Sequence, residues 1–535
     1  MSKLTRPAAL CFAALLSCAL AGCKRGAPPP PPLEAIDKID RRKDVPMSPP
    51  AVERDLAQLR EAGTLTVLAP YNSTTYFVYR GEPLGYEYEL LREFAASQNL
   101  ALKMVVVTDR KSLLSLLNSG EGDIAAARLI PTPEDEQNVS FTRALYHTEP
   151  ALVQQEAGPE AAGSAGAEKA LEPGPADDLP ETDIEARLIS RPSQLGGETV
   201  HLPERHAYKR TLVELADEVS GDIHVVEVGG KWQDETLAQK VARGEVKLTV
   251  MQGNLAQLKE AEFKNLRVRP VLGRTHGVAW ATRRNSPELL AALNAWIEAE
   301  QQGKRFDRLY KKYFVDRRAH VERVASEYLT SATGKLCKYD ELLKRAAAEL
   351  GWDWRLLAAQ TYQESRFEPH ARSWAGAVGL LQLMPPTARQ FGVGDPLDPE
   401  QNVQGAVNFL KWLRNYWSDR IPDDAERLKF ILASYNTGAG HVQDAQRLAE
   451  KYGGDPKKWD DVAYWLLQKS TQQYSTDPVV KFGFCRGIEP VNYVSHILDR
   501  FDHYKQFVVT ESASGPGRRR RAGRRAAAAF PEAGA

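Results

Sequence analysis

Glu364 is the residue of this chain whose type and spacing best suit acid–base chemistry. It closes the run Gln360-Thr361-Tyr362-Gln363-Glu364-Ser365-Arg366-Phe367, and the glycine-punctuated stretch Gly376-Ala377-Val378-Gly379-Leu380-Leu381-Gln382-Leu383-Met384-Pro385 comes soon after. Asp353 is a suitable N-cap, and Trp354, Leu357, Thr361 and Glu364 then fall at i, i+3, i+7 and i+10 on one helical face. A carboxyl held against a mostly apolar face loses hydration. Its neutral form is favoured, and its pKa rises toward the range where it can donate a proton near neutrality. A helix-end glutamate in water is the competing reading, and spacing alone leaves both open.

Two later segments add polar groups. Ala433-Ser434-Tyr435-Asn436-Thr437-Gly438-Ala439-Gly440 follows an apolar helical run, and Arg486-Gly487-Ile488-Glu489-Pro490-Val491-Asn492-Tyr493-Val494 opens another helix. With Glu364 these segments read E-S, then G-x-x-G-L-x-Q-x-M-P, then A-x-Y-N-x-G, then E-x-x-x-Y-V. That pattern, over residues 336–507, resembles the catalytic domain of the soluble-lytic-transglycosylase type, related to goose-type lysozyme. Leu381 stands where Met is commoner in that family, and Thr437 where Ala is commoner.

The resemblance implies cleavage of the MurNAc-β-1,4-GlcNAc bond of peptidoglycan without water, leaving a 1,6-anhydromuramoyl end. It puts Glu364 in the single catalytic position, with Ser365, Gln382, Met384, Tyr435, Asn436, Glu489 and Tyr493 binding the saccharide or holding the acid. Met384 also reads as core packing, and Asn436-Thr437-Gly438 as a plain turn. An ordinary glycosidase needs a second carboxylate. Glu368, Asp395 and Glu489 are the candidates, and Glu368 reads as a solvated turn residue before Pro369.

A chain of 535 residues requires more than one core. Its 70 basic side chains balance 70 acidic ones, which argues against nucleic acid as the main partner. Lys3 and Arg6 precede an apolar stretch, Ala8 to Leu20, too short for a dedicated spanning helix. The following Leu20-Ala21-Gly22-Cys23 resembles a bacterial lipoprotein signal, which implies residues 1–22 as signal peptide and lipidation at Cys23. Lys24 follows, where an inner-membrane retention signal would have Asp, so the expected location is the periplasmic face of the outer membrane. Residues 23–59, with the Pro28–Pro32 run, read as an extended linker. Cys337 and Cys485 are the cysteines left after the signal and the lipid site, and in an oxidising compartment they form a disulfide candidate; two buried free thiols are the alternative. Residues 512–535 carry Arg518–Arg521, Arg524 and Arg525 and read as a disordered basic tail.

Residues 60–317 alternate strand-like and helical runs, as a parallel α/β sheet does: Thr64–Leu68, Tyr88–Ala96, Leu102–Val107, Leu113–Leu117 and Asp123–Ala127. Gly85-Tyr86-Glu87-Tyr88-Glu89-Leu90, Gly120-Glu121-Gly122-Asp123, Thr132-Pro133-Glu134 and Val139-Ser140-Phe141 resemble the first lobe of periplasmic solute-binding proteins of the polar amino-acid class. Leu195–Val200 and Arg243–Val246 resemble the second lobe, and Leu289–Phe314 is expected to return to the first. A segment of about 156–183, rich in Ala, Gly, Pro and Glu, reads as a disordered insertion between them. In amino-acid binders an Arg follows Thr-Pro-Glu to grip the ligand carboxylate, whereas here Asp135 follows, and the ammonium-side acid aligns with neutral Gln252. Arg128 stands nearby as another cation.

The expected fold is therefore a two-lobed α/β binding-protein-like domain, residues 60–317, a linker, 318–335, and a mainly α lysozyme-like domain, 336–511. This order resembles the membrane-bound lytic murein transglycosylase F family. It implies glycan strands as substrate, a lipid anchor and a regulatory first domain that takes a muropeptide or peptide effector. A hydrolytic muramidase and a non-catalytic glycan-binding sensory lipoprotein are the alternatives. The sequence has neither H-E-x-x-H metal spacing nor a G-x-x-x-x-G-K-S phosphate loop, so neither metal nor cofactor is expected.

Overall fold

The computed structural model describes residues 52–108, 110–156, 188–229 and 234–508. The signal segment, Cys23, the proline run, nearly all of the 156–183 insertion and the arginine-rich tail lie outside the described residues.

In chain order the strands are β1 (Thr64–Ala69), β2 (Phe77–Tyr79), β3 (Glu82–Leu84), β4 (Ala101–Val106), β5 (Ile124–Leu129), β6 (Val139–Phe141), β7 (Tyr146–Thr148), β8 (Pro150–Gln155), β9 (Thr199–Pro203), β10 (His224–Val228), β11 (Leu248–Gln252), β12 (Leu266–Val271) and β13 (His276–Arg283). Helix α1 (Leu56–Ala62) precedes them, helices α2 (Tyr86–Ser97), α3 (Arg110–Asn118), α4 (Tyr208–Ala216), α5 (Asp234–Ala242) and α6 (Gly253–Glu262) run between them, and α7 (Pro287–Gln301) follows the last strand.

The first sheet has the order β4-β1-β5-β13-β6, and β1 pairs in parallel with both β4 and β5. Parallel neighbours need a crossover, and α2 and α3 supply it. β5 is buried along its whole length, as a strand covered on both faces must be. The sheet is nonetheless mixed, because β13 runs antiparallel to β5 and β6. The second sheet has the order β10-β9-β11-β8-β12, with β8 antiparallel to its neighbours β11 and β12. The chain re-enters the first sheet through β13, earlier than the helical stretch the sequence suggested. α7 then packs Leu289, Leu293 and Ile297, at i, i+4 and i+8, into the core.

The remaining chain is helical: α8 (Asp340–Leu350), α9 (Trp354–Ser365), α10 (Pro399–Ser418), α11 (Asp424–Thr437), α12 (Ala439–Lys451), α13 (Trp459–Gln468) and α14 (Ile488–Phe507), with short turns of helix between. Asp353, Asp398 and Asp423 cap α9, α10 and α11 by accepting from backbone N–H groups, contacts worth about 1 kcal/mol each. α9 and α11 both pack on α14 around Leu357, Phe430, Val494 and Ile497. The far end of α14 rests on the first lobe: Tyr504 donates to Gly81 O at 2.6 Å, Gln506 Nε2 donates to Met104 O at 2.8 Å, and the Phe507 ring stacks on Tyr71.

Candidate active site

α9 delivers Glu364 as its penultimate residue. The helix stops because Arg366 and Phe367 both take left-handed backbone conformations, at φ 54° and 65°, which turn the chain away before Pro369. Ser365 is buried, and its hydroxyl donates to Leu380 O at 2.7 Å, pinning the helix end to the loop that follows. In that loop Gly379 has φ 87°, and a side chain there would collide with Asn402 and with Pro396 O. Asn402, fully buried, accepts from Leu381 N–H at 2.8 Å and donates to Val378 O and Pro396 O at 2.9 Å. One amide thus fixes the loop that faces Glu364.

Glu364 Oε1 accepts from the Tyr493 hydroxyl at 2.5 Å, across from α14. Gln360, one turn back on α9 and fully buried, donates its Nε2 to the Tyr493 oxygen at 3.1 Å. Tyr435 stands near the same carboxyl, and its hydroxyl is committed to Leu381 O at 2.7 Å. Burial pushes the Glu364 carboxyl up to about 8, and the Tyr493 hydrogen bond pulls it back only in part. Among the described residues no second carboxylate acts on it. A group so held carries a proton at neutral pH and can give it up.

The other residues singled out in the sequence divide. Met384 is exposed at the end of the loop, and Asn436 is exposed at the end of α11. The Gln382 amide folds back and donates to Ala371 O and Gly379 O, so it shapes the loop. Glu489 does not hold the acid: it lies exposed on the first turn of α14 and reaches Arg486. Glu368 and Asp395 are spent on local turns, accepting from His370 N–H and Leu397 N–H. Gln360 and Asn402 were missed, although Gln360 lies at i−4 from Glu364 and so shares its helical face.

The disulfide expectation is overturned: Cys337 and Cys485 are separate buried thiols. Cys337 lies against Asp340 at the start of α8 and close to Tyr504, whereas Cys485 lies against Thr437 just before the start of α14. The two therefore sit toward opposite ends of α14, about 25 Å apart at 1.5 Å per residue. No group of three or more His, Cys, Asp or Glu among the described residues is placed to hold a metal ion.

Between the two sheets of the first module, Arg128 (φ 52°) takes the central place. Its guanidinium donates to Thr74 Oγ1 at 3.0 Å and to Asp234 Oδ2 at 3.4 Å, and approaches Glu235 at 3.9 Å. Glu235, from the start of α5, accepts from the Ser73 N–H and hydroxyl and from Lys259. Burial opposes its ionisation, but Lys259, Arg128 and Ser73 hold its carboxyl down to about 2. Gln252 donates to Arg128 O at 2.9 Å, while Asp135 sits in the short turn Pro133–Glu136.

Residues 341–458 match the Transglycosylase SLT domain, and residues 60–316 match the bacterial extracellular solute-binding proteins, family 3. A membrane-bound lytic murein transglycosylase F of Desulfosudis oleivorans is 31% identical over 85% of this chain and 92% of its own length. The chain belongs to the membrane-bound lytic murein transglycosylase F family. Members of that name from Ectopseudomonas mendocina and Shewanella woodyi are each 31% identical, over 84% and 90% of this chain and 85% and 89% of their own lengths. Among solved structures, the P235GK mutant of ArgBP from T. maritima is 18% identical over 49% of this chain and 99% of that one, with a TM-score of 0.38. As a member of the transglycosylase F family the chain joins two modules, and Glu364, Tyr435 and the loop fixed by Asn402 lie within the SLT match.

Proposed function

We propose that this lytic murein transglycosylase cleaves peptidoglycan glycan strands with Glu364 as its single acid and base. The observation that carries the reading is a carboxyl with one phenolic partner and no carboxylate neighbour among the described residues, which burial pushes up to about 8. Glu364 gives its proton to the glycosidic oxygen as the C1–O bond breaks. The carboxylate left behind takes the proton of the C6 hydroxyl on the same MurNAc as that oxygen closes on C1. The proton returns to Glu364, no water is consumed, and the product ends in a 1,6-anhydro ring. A hydrolase would need a second carboxylate to activate water or to attack the sugar. Mass analysis of sacculus digests tests this: anhydro ends, lighter by one water, are expected, and reducing ends as the main product would overturn it.

Cys23, following Leu20-Ala21-Gly22, supports a lipid anchor on the periplasmic face of the outer membrane, in keeping with the membrane-bound naming of the relatives. The first module acts as the regulatory part, its cleft taking a wall-derived peptide or muropeptide. Glu235 already occupies the Arg128–Ser73–Lys259 ring of donors, so an effector bearing a carboxylate must displace it.

A further inference from the structure

The geometry points to Gln360 as a positioning residue for the reaction proposed above: its buried amide fixes the direction in which Tyr493 donates, and so keeps the Tyr493 proton on Glu364 Oε1. The inference rests on Glu364 being the acid.

A phenol carries one proton. The Gln360 Nε2 has only N–H to offer, and it donates to the Tyr493 oxygen at 3.1 Å. That oxygen therefore acts as acceptor toward Gln360, and its own proton must leave in another direction. It goes to Glu364 Oε1 at 2.5 Å. Oε1 is thereby occupied, and among the described residues Oε2 takes no hydrogen bond from the protein. Oε2 is then the oxygen that carries the transferable proton to the sugar.

The rest of the Gln360 amide argues against a packing role. Among the described residues its Oε1 is buried without a hydrogen-bond partner, while Leu356, Leu357, Ala358 and Ala359 beside it are buried apolar residues. An orphaned buried carbonyl is destabilising, and a side chain of similar volume without polar atoms would avoid that cost. The N–H directed at Tyr493 is the part of the side chain with a partner.

The consequence is a tuned acid. Burial raises the Glu364 pKa, and the donated Tyr493 hydrogen bond offsets part of that rise. The titratable groups facing Glu364 are Tyr493 from α14 and Tyr435 from α11, both phenols whose own pKa values burial raises well above the ordinary value. The loop 376–384 contributes no titratable side chain. Release of Tyr493 from Gln360 lets its hydroxyl rotate away, weakens the contact and moves the Glu364 pKa further up.

The test is Gln360→Met, with Gln360→Leu as a second variant, made in the full ectodomain alone and combined with Tyr493→Phe. The alkaline limb of kcat is expected to move up by about half to one pH unit, with turnover down about ten-fold and KM unchanged. In the Tyr493→Phe background the same substitution is expected to move neither. A carboxyl titration of Glu364 by carbon NMR, without substrate, should show the same upward shift. This second readout separates failure of the inference from failure of the transglycosylase reading. An unmoved or lowered Glu364 pKa, or an equal effect with and without the Tyr493 hydroxyl, would overturn the assignment.

Discussion

His503, near the end of α14, hydrogen-bonds through Nδ1 to the hydroxyl of Tyr76 in the solute-binding-like module. Ten residues earlier the same helix carries Tyr493, the partner of Glu364, about 15 Å away along the axis. Tyr76 in turn follows Ser73 and Thr74, which touch Glu235 and Arg128 in the interlobe cleft. One helix thus has the Glu364 carboxyl near one end and the wall of the interlobe cleft at the other. Tyr76→Phe removes the shared hydrogen bond and leaves His503 with a buried unpaired nitrogen. A loss of about 1–2 kcal/mol is expected for the junction, read as a lowered melting temperature that Tyr464→Phe, on the exposed side of α13, does not reproduce.

Glu364→Gln should lower turnover by at least about a hundred-fold, since a positioned general acid is worth that much. The pH dependence of the parent follows from its raised pKa. The reactive form is protonated, so kcat should hold through neutrality and fall as pH rises through about 8. Activity of the Gln variant within three-fold of the parent would remove Glu364 from the mechanism.

Stability follows pH in the same direction, over a wider window. The folded state holds the Glu364 proton up to about 8, while the unfolded chain releases it near the ordinary value of 4.5. The contribution is fully present below 4.5 and is lost as pH rises to about 8, an upper limit of about 5 kcal/mol at 1.36 kcal/mol per unit. Glu364→Gln removes this loss. Its melting temperature should match the parent near pH 4 and exceed it at pH 8; equal curves at both would show that the carboxyl is not desolvated.

Thiol titration of the denatured, unreduced ectodomain should find both Cys337 and Cys485 reactive. Burial pushes both thiols above their ordinary pKa, so in the folded protein they should react slowly. A cross-linked peptide joining the two would contradict their placement toward opposite ends of α14.

Local pattern made much of this molecule legible. The helical face ending at Glu364, the buried strands β1 and β5 and the Tyr435 and Tyr493 segments all follow from spacing within a few turns. What escaped depends on distance. Cys337 and Cys485 looked like a pair because they are the two cysteines left once the signal and the lipid site are set aside, yet only the path of α14 tells how far apart they stand. Asn402 reads as one polar residue near a helix start, and nothing local says that the 376–384 loop folds over it. In the cleft, the resemblance to amino-acid binders drew attention to Asp135 and Gln252. The charges that meet are Arg128 with Asp234 and Glu235, brought together only when the two lobes face each other.

That meeting leads to the last prediction. Glu235 accepts from a backbone N–H, a hydroxyl and an ammonium group, with a guanidinium close by, the set of donors a free carboxylate ligand would seek. The parent ectodomain should therefore give no thermal shift with any free amino acid, because the ligand must first evict a carboxylate tied to the chain. Glu235→Ala takes one of two carboxylate partners from each of the buried Arg128 and Lys259, which keep Asp234 and Glu262, so it costs less than the roughly 3–5 kcal/mol of a buried charge left unpaired. The variant should melt lower than the parent. Added small carboxylates should recover part of that loss, each regained charge-assisted hydrogen bond being worth about 1.5–3 kcal/mol. Arg128→Met combined with Glu235→Ala should abolish the recovery. Micromolar binding of a free amino acid to the parent, or a Glu235→Ala variant indifferent to carboxylates, would show that Glu235 does not hold the ligand's place.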